Sequence, residues 1–155
     1  ATEDRVEFVV EQVEQLTELK NFGEYFSKLL TIDAFFLNED RHMHNIAVLM
    51  NGQGKTALCP FFDQGAGLMS DTSLYYPLGV DPMIMLGEVQ AKTVCASFEE
   101  ALDAAEKLYG YHLKFSFAKS DVRKLIDSAG IYSDEEKRRV KTIIFQQMRK
   151  YQYLF

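Results

Sequence analysis

Asp40, Asn45 and Asp63 are oxygen donors of the kinds that take up a proton and hold a hard cation. The first two stand in N-E-D-R-H-M-H-N, residues 38–45, at a D-x-x-x-x-N spacing. The third lies beyond an apolar segment, in the run Phe61, Phe62, Asp63, Gln64, Gly65. A carboxylate within hydrogen-bond reach of a hydroxyl orients it and accepts its proton. An amide oxygen and a carboxylate beside a phosphate-sized gap suit magnesium, which prefers oxygen ligands and keeps positions open for substrate phosphates. The chemistry on offer is in-line phosphoryl transfer, with Asn45 and Asp63 sharing the ion and Asp40 facing the acceptor hydroxyl.

The segment between these residues is what groups them. Residues 46–50 read I-A-V-L-M, with β-branched residues, N-G-Q-G at 51–54 is a turn signal, and residues 55–62 can return as a second strand. A hairpin brings its ends together, so Asn45 before the outgoing strand and Asp63 after the returning one become neighbours. Two other readings use the same residues. Asp, Asn and His commonly bond local backbone in loops that enter hairpins, which is ordinary turn chemistry. Asp40, His42 and His44 are also competent transition-metal ligands.

The run Asp33-x-x-x-x-Asn38-x-Asp40-Arg41-His42-x-x-Asn45-Ile46, followed by Phe62-Asp63 at the end of a hairpin, resembles the kinase-like C-terminal lobe of the HipA toxin family. Its D-R-H-x-x-N core is also similar to that of phosphoinositide-type kinases. The resemblance covers residues 33–63. It implies a protein-kinase-like C-terminal lobe that uses ATP and Mg2+ to phosphorylate a Ser or Thr hydroxyl of a protein substrate. It makes Asp40 the catalytic aspartate and Asn45 a magnesium ligand, gives His42 the task of orienting the loop, and sets Asp63 at the D-F-G aspartate position, with Gln64 where phenylalanine usually stands. The sequence departs from the pattern before Asp33, where there is neither a glycine-rich loop nor a strand-borne lysine of the V-A-I-K type. The expectation is therefore one lobe of a longer protein, its partner being an N-terminal lobe; a first residue of Ala rather than Met fits a trimmed piece. A reading from a different class is a non-catalytic interaction or nucleotide-binding module, a pseudokinase-like lobe.

The elements that must position the site are mostly helical. Val6, Val9, Val10, Val13, Leu16 and Leu19 recur at helical spacing with glutamates mostly elsewhere. Phe22, Tyr25, Phe26, Leu29, Leu30, Phe36 and Leu37 form a second stripe that leads into the loop, uninterrupted by Gly23. Asp33 falls on that stripe, where a carboxylate needs a partner. Arg41 is the candidate, and Asp33, Asn38 and Arg41 together make the set that supports the loop; the alternative is a solvated Asp33 at the stripe's edge. Residues 64–77 read as a surface loop, which the resemblance sets in the place of an activation segment with Ser70, Thr72, Ser73, Tyr75 and Tyr76 as hydroxyls open to phosphorylation, or as a plain connecting loop whose tyrosines pack on the core. Residues 83–94 read as mostly irregular with one short strand. Three helices close the chain: Ser97 caps 98–109, Ser120 caps 121–129, and Ser133 caps a last one, each of the first two ending at a glycine. Lys137, Arg138, Arg139, Lys141, Arg149 and Lys150 read as that last helix's solvated face.

The 155 residues, 47% hydrophobic and 26% charged, suffice for one domain with its own core. A net charge of −6 argues against a nucleic-acid partner, which calls for a basic footprint. Two cysteines and no leader point to a cytoplasmic protein without a disulfide framework, and no apolar run reaches membrane-spanning length. The predicted architecture is mostly α with a small antiparallel β-hairpin (α+β), about six helices presenting one site.

Overall fold

The computed structural model describes residues 1–155. Its first helix, α1 (Thr2–Thr17), buries Val6 and Val10 and ends where Glu18 turns left-handed, φ 61°. Glu14 of α1 reaches across the turn and accepts from the Phe22 amide at 3.0 Å. That bond satisfies one of the orphan donors at the start of α2 (Phe22–Phe36), whose Asn21 makes no side-chain cap of its own.

The central element is α2. Phe22, Tyr25, Phe26, Leu29, Leu30, Ala34 and Phe35 are all buried, as expected of a helix enclosed on most sides. Its first turns pack with α1 and with α4 (Phe98–Tyr109) in one apolar cluster. Its last turn joins a second cluster with Leu102 of α4 and Ile143 of α6 (Asp134–Lys150). Gly23 explains the close approach of α2 and α4: a Cβ there would lie 2.4 Å from Cδ1 and 2.9 Å from Cγ of Tyr109. Gly23→Ala gains about 1 kcal/mol of helix propensity but forces the ring aside at a cost of about 1–3 kcal/mol. The variant is expected to melt below the wild type in a circular-dichroism scan; equal or higher stability would mean that the contact is soft.

Between the two helical parts sits the predicted hairpin, shorter than expected. Strands β1 (Val48–Met50) and β2 (Thr56–Leu58) pair antiparallel with Leu49 opposite Ala57. The outgoing strand starts late: a 3-10 turn covers Met43–Asn45, Ile46 is already extended, and the ladder begins only at Val48. The returning strand stops early, close before Pro60, which has no amide hydrogen to donate. At the tip, Asn51 Oδ1 accepts from the amides of Gln53 and Lys55 at 3.0 and 2.9 Å.

Two expectations for the second half need correction. Residues 83–94 contain no strand; Pro82–Met85 instead form a short helix, α3, with Pro82 in its first turn and the Asp81 carboxylate accepting from the Met83 amide at 2.9 Å. Helix α5 is Lys119–Ser128, and Ser120 lies inside it rather than capping it. The end is closed by Asp121, which accepts from the Ala118 amide at 2.8 Å. The caps read at Ser97 and Ser133 form as predicted, their hydroxyls accepting from Glu100 and Glu136 amides at 3.2 Å. The whole is mostly helical with one two-stranded antiparallel sheet, and no helix is long and apolar enough to cross a membrane.

Candidate functional site

The site is assembled around a buried ion pair. Helix α2 ends at Leu37, whose φ of 55° turns the chain out of the helix, and the Asn38 amide returns to the Asp33 carbonyl at 2.9 Å. This brings the loop carrying Arg41 back over the last turn of α2. Asp33 and Arg41 are both buried, at 2% and 0% exposure, and pair through two bonds: Nε to Oδ2 at 2.9 Å and Nη2 to Oδ1 at 3.3 Å. Asn38 Nδ2 adds a third at 2.9 Å to Oδ1. The pairing predicted for Asp33 thus forms, and the solvated alternative does not. Burial pushes the Asp33 carboxyl above its ordinary value, against the opposing pull of the Arg41 and Asn38 hydrogen bonds.

Arg41 also ties down both sides of the hairpin. Its Nη1 donates to the carbonyls of Asn45 and of Phe62, each at 2.8 Å. Its Nη2 donates to Gln64 Oε1 at 3.0 Å, which Asn38 Nδ2 approaches at 3.3 Å. Asn38 Nδ2 lies equally near the carbonyl of Asp63, a residue held left-handed at φ 57°. One guanidinium therefore satisfies carbonyls that the short hairpin leaves unpaired at its base.

The three chemical side chains stand outside this lattice. Asn45 turns its Nδ2 to the Asp40 carbonyl at 3.0 Å and to His42 Nε2 at 3.4 Å, which leaves Oδ1 without a donor. Asp63 is exposed, and no protein donor or cation pairs with its carboxylate. The Asp40 carboxylate has only His42 Nε2 near it, at 4.0 Å, with both side chains about half exposed. An amide oxygen and two carboxylates are thus uncompensated around one fixed backbone clasp. Asn45 Oδ1 and the Asp63 carboxylate are hard oxygen donors, the class of ligand that magnesium takes. The transition-metal alternative fails, since no three His, Cys, Asp or Glu side chains converge to hold a metal. His44 is exposed, and its ring meets that of His42 edge-on at 5.5 Å.

Two placements escaped the sequence. Gln64 acts as a support, its amide oxygen serving Arg41 and Asn38 together; the only signal is a side chain able to accept and donate directly after Asp63. Tyr76, read either as a surface hydroxyl or as packed on the core, is 8% exposed and donates to the Glu39 carboxylate, a partner the sequence did not indicate, so it fastens the 66–80 loop to the site loop. Burial and that carboxylate raise the Tyr76 phenol. Tyr75 stays exposed, Ser70 donates to the Gly65 carbonyl at 2.8 Å, and Ser73 donates to Asp71 at 2.9 Å.

No family model, curated protein or solved structure matches the chain.

Proposed function

We propose that this chain is the catalytic-loop half of a phosphotransferase, a kinase-like C-terminal lobe that moves a phosphoryl group from ATP to a protein Ser or Thr hydroxyl. The observation that supports this reading is the Arg41 clasp. It joins the Asn45 and Phe62 carbonyls on one nitrogen, while the side-chain oxygens of Asp40, Asn45 and Asp63 accept no protein hydrogen bond. Asp40 then orients the acceptor hydroxyl and takes its proton. His42, bonded near Asn45 and facing Asp40, keeps the loop in register. Asn45 and Asp63 would hold magnesium, which when bound neutralises charge on the transferring phosphates. A cytoplasmic setting, where ATP and magnesium are abundant, suits this chemistry.

Glycine-rich loops and strand lysines grip the phosphates in kinase-like enzymes, whereas the residues before Asp33 here are two helices. The same residues also suit a second reading, in which they bind a nucleotide or partner without turnover. The two agree on nucleotide binding by residues 1–155: it should be weak, about millimolar or some −4 kcal/mol, dependent on magnesium, and abolished by Asp63→Ala. Calorimetry with ATP, with and without magnesium, is the test, and micromolar affinity indifferent to the metal would sink the paired-ligand site. Phosphoryl transfer to a peptide acceptor by a longer form that contains a glycine-rich loop separates the two readings.

A further inference from the structure

The charges of the chain are split along its length. Residues 1–110 hold eighteen acids against seven bases, and residues 111–155 hold ten bases against five acids. The basic residues of α6 do not share one fate. Arg139 turns inward, 6% exposed, and donates to the Pro77 carbonyl at 3.0 Å. Lys141 and Lys150 are paired with Asp127 and Glu99. Arg138 and Arg149 stay exposed, on one face of the helix with Phe145 between them. Lys119 and Arg123 of α5 reach over the same ring, with Nζ 5.4 Å and Cζ 5.0 Å from its centroid. The ion pairs of the chain leave Lys119, Arg123, Arg138 and Arg149 without a carboxylate.

The opposite arrangement stands on α1. Glu7, Glu11, Glu14 and Glu18 recur at i, i+4, i+7 and i+11, one row on the helix with no base in it. Arg5, the helix's own base, donates to the Val94 carbonyl at 2.9 Å. Like charges at this spacing repel, whereas a helix face that simply meets water commonly alternates its signs. Glu7, Glu11 and Glu18 are exposed, and Glu14 gives one oxygen to the Phe22 amide. The acidic row and the row from Arg138 to Arg149 each run about 16 Å at 1.5 Å per residue, so they match in length and oppose in sign. Within one molecule they do not meet, since α1 packs with α2 and α4 in one apolar cluster while α5 and α6 belong to the other.

We propose that the chain binds a second copy of itself, the Glu7–Glu18 row of α1 in one copy lying along the α5–α6 face around Phe145 in the next. Charge complementarity decides the occupant: the unpaired cations around Phe145 call for an acidic helix, and the chain supplies one of the right length. Because two different faces are joined, the contact either closes as a two-fold pair that makes it twice or continues head to tail. A polar contact of this size is weak and governed by ionic strength. It uses neither the Asp40 loop nor the hairpin and holds whatever that loop does.

Sedimentation velocity of the chain across a salt series is the test. The mean mass is expected to rise with protein concentration at about 0.01 M salt and to return to that of the monomer near 1 M, where the Debye length has shrunk from about 30 Å to about 3 Å. Two charge-reversed variants, Glu7→Lys with Glu11→Lys and Arg138→Glu with Arg149→Glu, should each associate about tenfold more weakly or not at all at low salt. Mixing the two variants should restore association, because the reversed rows again oppose each other. All four positions are exposed, so each variant is expected to keep the wild-type melting curve. The proposal is overturned by a wild type that stays monomeric at every salt concentration, by association that survives either reversal, or by a mixture that stays monomeric. A monomeric wild type that binds a duplex oligonucleotide through Arg138 and Arg149 also overturns it, and gives the face to a nucleic acid instead.

Discussion

Asp33→Ala is expected to lower the melting temperature by roughly 10 °C. It removes the carboxylate under a guanidinium that is itself 0% exposed. Breaking one side of a buried ion pair costs about 3–5 kcal/mol, and a chain of this size loses about 2–4 °C per kcal/mol. The usual rescue, replacing both partners with apolar residues of like volume, is not expected to succeed. In the pair Asp33→Leu with Arg41→Met, the carbonyls of Asn45 and Phe62 would lose their shared donor, and part-buried backbone left without a partner carries a cost. Thermal scans of both variants check the argument. A single variant melting within about 2 °C of the wild type, or full recovery in the double, would mean that the lattice carries little of the stability.

Asp40→Asn should do the opposite, sparing the fold and removing the chemistry. Asn45 holds the loop through the Asp40 carbonyl rather than its carboxylate, so the change of side chain leaves that bond intact. The half-exposed position predicts a stability change within about 0.5 kcal/mol. In a longer form able to grip ATP, loss of the proton acceptor is expected to cut turnover by about 10²–10⁴-fold with nucleotide affinity preserved. Near-normal phosphorylation of an acceptor peptide by that variant would remove Asp40 from the mechanism.

What the sequence made legible was local or periodic. The Ser97 and Ser133 caps depend on a hydroxyl three residues before the amide it receives, and both formed. Asp33 stood out as a carboxylate on an apolar stripe, with Arg41 the basic residue of the loop that follows. The start of α5 was misread because two residues could close it; Ser120 was the obvious candidate, but Asp121 reaches back one turn earlier. The role of Gln64, the Glu39 partner of Tyr76 and the burial of Arg139, 6% exposed rather than solvated, were out of reach for a different reason. Their neighbours come from distant segments: Gln64 meets Arg41, Tyr76 meets Glu39, and Arg139 meets Pro77. Periodicity sets a residue on a helix face, but it does not say which loop will lie over that face.

The tip of the hairpin closes on itself through Asn51, and its base is closed by Arg41. These two closures use separate residues, and between them the Thr56 hydroxyl donates to the Thr17 carbonyl at 2.5 Å, which ties the ribbon to α1. A proteolytic cut between Gly52 and Gln53, both exposed, would leave two polypeptides still sewn together at the guanidinium. An added stretch of sequence spliced in at that point would dangle in solvent. The hairpin is thus a natural insertion port, through which recognition elements could be varied while the carboxylates at its root keep their places.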